Sequence, residues 1–84
     1  MDIRVVVGLN VQRIRRERAY SQEELSFRSG LTRAYLSGLE AGRRNPTIIS
    51  LGKLADALEA SVEDLVRKPP AETAGKSIPA ESRT

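Results

Sequence analysis

Eighty-four residues, 39% of them apolar and with a net charge of +3, make one small domain that buries only about 60% of its unfolded surface, so a second copy covering further apolar surface is expected on size alone. With no cysteine and no histidine, disulfide staples, thiolate or imidazole metal sites and nucleophile–His catalysis are excluded; so short a chain also leaves little room for a carboxylate cleft, and a non-enzyme without cofactor or metal is expected. No run of 18 apolar residues is present to span a membrane, and the start Met1–Arg4 lacks the flank and cleavage site of a signal peptide, so the cytoplasm is the expected compartment.

The first predicted element is a helix from about Arg4 to Arg18, in which Val7, Val11 and Ile14 fall at i, i+4, i+7 on one stripe. Val5, Val6 and Val7 are β-branched, but no second strand-like segment exists to pair with them, which favours helix. Arg13, Arg15, Arg16 and Arg18 crowd its end. Residues 1–45 hold nine Arg against five acids (net +4), whereas residues 46–84 hold five basic and six acidic residues (net −1). Such a face is either a phosphate footprint or simply solvated.

Ser21–Glu24 reads as a capping box, Ser21 capping the third amide and Glu24 reaching back, so a second helix starts at Gln22 and stops before Gly30. Thr32 caps a third, with Leu36 and Leu39 inward and its end at Gly42. Asn45-Pro46 marks a loop. Leu51, Leu54, Ala55 and Leu58 give the stripe of a fourth helix, and Ser61–Asp64 caps a short fifth carrying Val62, Leu65 and Val66. Pro69-Pro70 closes the ordered part. The domain is therefore expected over residues 1–68, followed by a disordered tail over 69–84 whose composition offers little to bury.

Two short helices joined by a tight glycine-containing turn predict a helix-turn-helix. The second presents Arg33, Ala34, Ser37 and Gly38 outward, one long donor among small neighbours, which suits a helix entering a DNA major groove.

Five strings carry a family resemblance: LNVQRIRRER over Leu9–Arg18, SQEEL over Ser21–Leu25, SGLT over Ser29–Thr32, YLSGLE over Tyr35–Glu40 and RRNP over Arg43–Pro46. In this order and spacing, over about residues 4–67, the chain resembles the Xre family of Cro and CI repressor-type regulators, and within it the controller proteins of restriction–modification systems. The resemblance implies an all-α, five-helix Cro/CI-type (lambda repressor-like) domain. It implies a sequence-specific transcription regulator that binds a pseudo-palindromic operator as a homodimer, activating and repressing its own operon. Its partners are then double-stranded DNA, a second copy and, where it activates, RNA polymerase. No small-molecule ligand is expected. The competing reading is an Xre-fold interaction module of antitoxin or antiactivator type that sequesters a protein partner; loss of Gln22 and of the Arg cluster would mark it, and both are present.

Carried over by residue, the resemblance assigns Gln22 to a phosphate and to propping the recognition helix, and Thr32 to cap and phosphate together. Arg33 is the base reader, able to donate twice to guanine O6 and N7 for about 1–3 kcal/mol of discrimination. Ala34 suits a thymine methyl and Ser37 a base or phosphate. Tyr35 either reaches the DNA or packs on the domain. Arg43, Arg44 and Asn45 grip phosphates, with Arg13 and Arg16 as outer phosphate contacts. Arg15 pairs with Glu40 as a structural ion pair. Two positions depart from the family: Ala19 replaces the glycine usual between the first two helices, and Phe27 stands on the outer side of the second. The C-terminal half carries more apolar residues than one core stripe absorbs, so Ile48, Ile49, Val62, Leu65 and Val66 are expected at a dimer interface, setting recognition helices about 34 Å apart.

Overall fold

The computed structural model describes residues 2–68; the expected tail lies outside the described residues. Five helices follow in order: α1 (Ile3–Glu17), α2 (Gln22–Ser29), α3 (Arg33–Glu40), α4 (Ile48–Leu58) and α5 (Val62–Val66). The fold is all-α, as expected. Each helix starts at a side-chain cap, because the first amides of a helix have no intrahelical acceptor. Asp2 supplies it for α1, which so begins at Ile3, one residue ahead of the expected start, and Thr47 supplies it for α4.

One capping expectation is corrected. Ser21 Oγ accepts from the Glu24 amide at 2.9 Å, but the Glu24 carboxylate turns along α2 to pair with Arg28 at 2.7 Å. A cation one turn on satisfies a carboxylate better than a neutral amide does. The reciprocal box forms instead at α5, where Ser61 Oγ accepts from the Asp64 amide and Asp64 Oδ2 accepts from the Ser61 amide, both at 3.1 Å.

The core joins Val7, Val11 and Ile14 of α1 to Leu25, Leu36, Leu39, Leu51, Leu54, Ala55, Leu58 and Leu65. Leu65 therefore corrects the interface expectation: it is fully buried within its own chain and has no surface left for a partner. Val62 packs against the same core, half-buried. A five-residue helix cannot persist by itself, since nucleation outweighs so few hydrogen bonds. Leu65, worth about 1.5–3 kcal/mol on burial, holds α5 down together with Asn10. That side chain, 1% exposed, donates to the Leu65 carbonyl at 2.9 Å and the Arg67 carbonyl at 2.7 Å.

Helix α1 crosses α3 at Gly8. A Cβ there would run into the Leu39 carbonyl oxygen and lie 2.9 Å from that of Glu40, both backbone atoms that cannot step aside. Between α1 and α2 the chain turns at Ala19 with φ 61°. The family's glycine position thus keeps its left-handed conformation under an alanine, at about 1 kcal/mol of strain.

Candidate nucleic-acid interface

Helices α2 and α3 meet through Gly30, left-handed at φ 79°, and the turn is pinned twice. Ser26 Oγ donates to the Leu31 carbonyl at 2.5 Å, and the Leu31 amide donates to Ser29 Oγ at 3.2 Å. Thr32 Oγ1 then accepts from the Tyr35 amide at 3.0 Å. Leu36 and Leu39 anchor the inner side of α3 in the core, which leaves Arg33, Ala34 and Ser37 exposed on the outer side. Tyr35 is half-buried and packs against the core.

The far end of α3 is locked by charge. Arg15 Nε donates to Glu40 Oε2 at 2.7 Å, its Nη2 to Oε1 at 3.0 Å, and its Nη1 to the Tyr20 carbonyl at 2.8 Å. Gln22 Nε2 adds a further bond to Glu40 Oε1 at 3.1 Å. One carboxylate thus ties α1, the start of α2 and the end of α3 together, and Gln22 braces α3 through it. With 11% and 3% of their side chains exposed, Arg15 and Glu40 form the ion pair that the family resemblance implies.

The other arginines divide by location. Arg16 is exposed and lies eleven residues after Val5, about three helical turns along the same line. Val5 borders Gly42 in the turn after α3, so Arg16 shares the α3 flank of α1. Arg13 does not. It donates to Asn10 Oδ1 at 3.2 Å and to Glu17 at 3.4 Å, on the flank that meets α5. Arg18 is drawn away as well: its Nε donates to the Leu58 carbonyl at 2.8 Å and its Nη2 to that of Glu59 at 3.0 Å, capping the negative end of α4. Arg43, Arg44 and Asn45 are exposed beyond the end of α3. Ile48 and Ile49 stand 71% and 66% exposed at the start of α4, and Val66 is exposed on α5.

Asn10 and Arg18 are structural residues that sequence reasoning overlooked. A signal existed for Asn10, which sits three residues after Val7 and four before Ile14, on an inward stripe where an amide needs buried partners. Arg18 carried none, because its acceptors lie some forty residues away.

A second helix fixed at both ends and left open on its outward face defines a helix-turn-helix DNA-binding unit. The chain belongs to the helix-turn-helix family HTH_3, the Xre type, whose model matches residues 11–65. It is 54% identical over 66 residues, 79% of this chain and 86% of the relative, to the HTH-type transcriptional regulator y4dJ of Sinorhizobium fredii. Among solved structures it resembles the restriction–modification controller protein C.AhdI of Aeromonas hydrophila, at 39% identity and a TM-score of 0.72 over 74% of this chain and 94% of that one. It also resembles the controller C.Esp1396I, crystallised as a tetramer on its natural 35-base-pair operator. There the identity is 31% and the TM-score 0.69, over 80% of this chain and 99% of that one. These relatives are named as regulators, not enzymes, and among the described residues no helix is long and apolar enough to cross a membrane.

Proposed function

We propose that the protein is a sequence-specific transcription regulator that binds a pseudo-palindromic operator as a homodimer and controls its own operon in the manner of a controller protein. The observation that carries this reading is the outward face of α3, where Arg33, Ala34 and Ser37 stay exposed while the Glu40 carboxylate holds the helix rigidly from behind. A helix entering the major groove needs this: short side chains for close approach, one long donor for a guanine, and no freedom to tilt. Arg33 reads a base, Ala34 meets a thymine methyl and Ser37 completes the contact. Phosphates on either side fall to Thr32, Gln22, Arg16, Arg43 and Asn45; Arg13, on the flank toward α5, takes no part.

The second copy docks on the exposed Ile48 and Ile49 of α4 and Val66 of α5, with half-buried Val62 contributing its edge. A contiguous exposed apolar patch marks an interaction surface, and Ile48 and Ile49, 71% and 66% exposed side by side, offer one. Where the dimer activates, RNA polymerase joins as a further partner.

Selection of bound sequences from a random duplex pool tests the reading. A two-fold symmetric site is expected to enrich, with log K falling against log salt by about 0.9 for each phosphate neutralised. Failure to enrich any sequence, with the dimer intact in sedimentation, would turn the assignment toward the protein-sequestering alternative.

A further inference from the structure

We infer that Arg44 is a second base-reading arginine, laid along α3 from outside the helix, and that Gly38 is the residue that makes room for it. This rests on the operator-binding reading and adds to it a determinant of specificity that lies beyond the recognition helix.

The chain leaves α3 and turns back at once, because the Arg43 amide donates to the Gly38 carbonyl at 2.9 Å. Arg44 follows that turn and lies across the outward side of the helix. A Cβ on Gly38 would sit 3.1 Å from Arg44 Cγ, 3.2 Å from Nε and 3.7 Å from Cδ. The stem therefore fills the space that a side chain at position 38 would otherwise occupy, and Gly38 is buried beneath it. One turn nearer the start of α3, the guanidinium carbon lies 5.3 Å from the centroid of the Tyr35 ring, within cation–π range.

Position 38 belongs to the same outward side as Ala34, four residues earlier. A guanidinium seated there enters the groove with the helix, whereas phosphates line the groove's rims and are met by residues at its flanks. The contact with the ring and the helix also restricts the rotamers that a loop arginine would otherwise have to give up on binding. The arrangement prepares a planar fork of donors suited to guanine O6 and N7. Tyr35 thereby gains a role compatible with its half-buried packing: it serves as the floor on which Arg44 rests.

The test compares the full-length wild type with Arg43→Ala, Arg44→Ala, Arg44→Lys and Gly38→Ala, by selection from a random duplex pool and by competition of the selected site against random DNA. Lysine keeps the charge that a phosphate needs but lacks the bidentate fork. Arg44→Ala and Arg44→Lys are both expected to lose base preference at one symmetric pair of positions, lowering discrimination about 5- to 150-fold per half-site. Arg43→Ala is expected to weaken cognate and random DNA alike. Gly38→Ala meets only a flexible side chain and favours helix, so its melting temperature should hold or rise while the same pair of base preferences fades. If the wild type selects a site and Arg44→Lys keeps every preference, Arg44 is a phosphate clamp and this inference falls alone. If the wild type selects no site, the operator-binding reading falls and takes this inference with it.

Discussion

Arg15→Ala would leave the Glu40 carboxylate, 3% exposed, with Gln22 as its side-chain donor among the described residues. A buried pair adds little over an apolar replacement, but removing one member strands a charge at about 3–5 kcal/mol. The loss is expected at the lower end, since Gln22 remains, and a domain of this size should then melt more than about 10 °C lower. Circular dichroism melting checks it, and a loss below a few degrees would show that the lock contributes little. Ala19 is the opposite case. Its φ of 61° suits glycine, so Ala19→Gly trades about 1 kcal/mol of left-handed strain against a smaller gain in unfolded-chain freedom. A melting temperature a few degrees higher is expected, and a lower one would place the strain elsewhere.

Among the elements, α5 depends most on its supports. Its capping box holds the Asp64 carboxyl below the ordinary carboxylate range, chiefly through the Ser61 amide, with Arg67 adding to the effect. A carboxyl depressed in the folded state contributes stability that is complete above its unfolded pKa and is lost as pH falls through the folded value. The box should therefore be fully effective at neutral pH and fade below about pH 4. Asp64→Asn, which keeps an acceptor but not the charge, should be less stable than the wild type at pH 7. Urea unfolding at descending pH should show that difference shrinking; a gap that stays constant into acid would mean the charge is not what matters. Helix α1 distributes its polar residues between two tasks. One flank meets α3 through Gly8 and Arg15, and the other meets α5 through Asn10. Of its terminal cluster, Arg16 stays exposed on the α3 flank and is the member the proposed operator contact would use.

For the whole molecule, the dimer is the property most open to a direct test. Ile49 is 66% exposed, so Ile49→Arg should leave the monomer fold and its circular dichroism spectrum unchanged. Sedimentation at micromolar concentration is expected to show a monomer that no longer prefers a palindrome to a half-site. A persistent dimer would exclude this face. Leu65→Arg is unsuitable for the purpose, because burying the charge would unfold α5 before any interface could be tested. Removing Ala71–Thr84, whose composition offers one isoleucine and little else to bury, is expected to leave melting temperature and operator affinity unchanged. A drop of several degrees would mean that the segment docks on the domain.

Helix number, order and most boundaries were legible in the sequence, because apolar stripes and capping residues act over one or two turns and their signals are local. The same holds for the outward trio Arg33, Ala34 and Ser37, which follows from helical periodicity once Thr32 and Leu36 are placed. The Arg15–Glu40 pair spans 25 residues and was reached through family resemblance, not through spacing. Tertiary structure alone decided that Arg18 turns to the end of α4, some forty residues on, and that Arg44 folds back onto Gly38 and Tyr35, whereas Arg13 finds Asn10 and Glu17 within a turn on its own helix. It also decided that Leu65 faces inward while Ile48 and Ile49 do not. The reason is physical. Whether a charged or apolar side chain meets solvent depends on which other helix covers it, and that is set by packing between segments far apart in the chain.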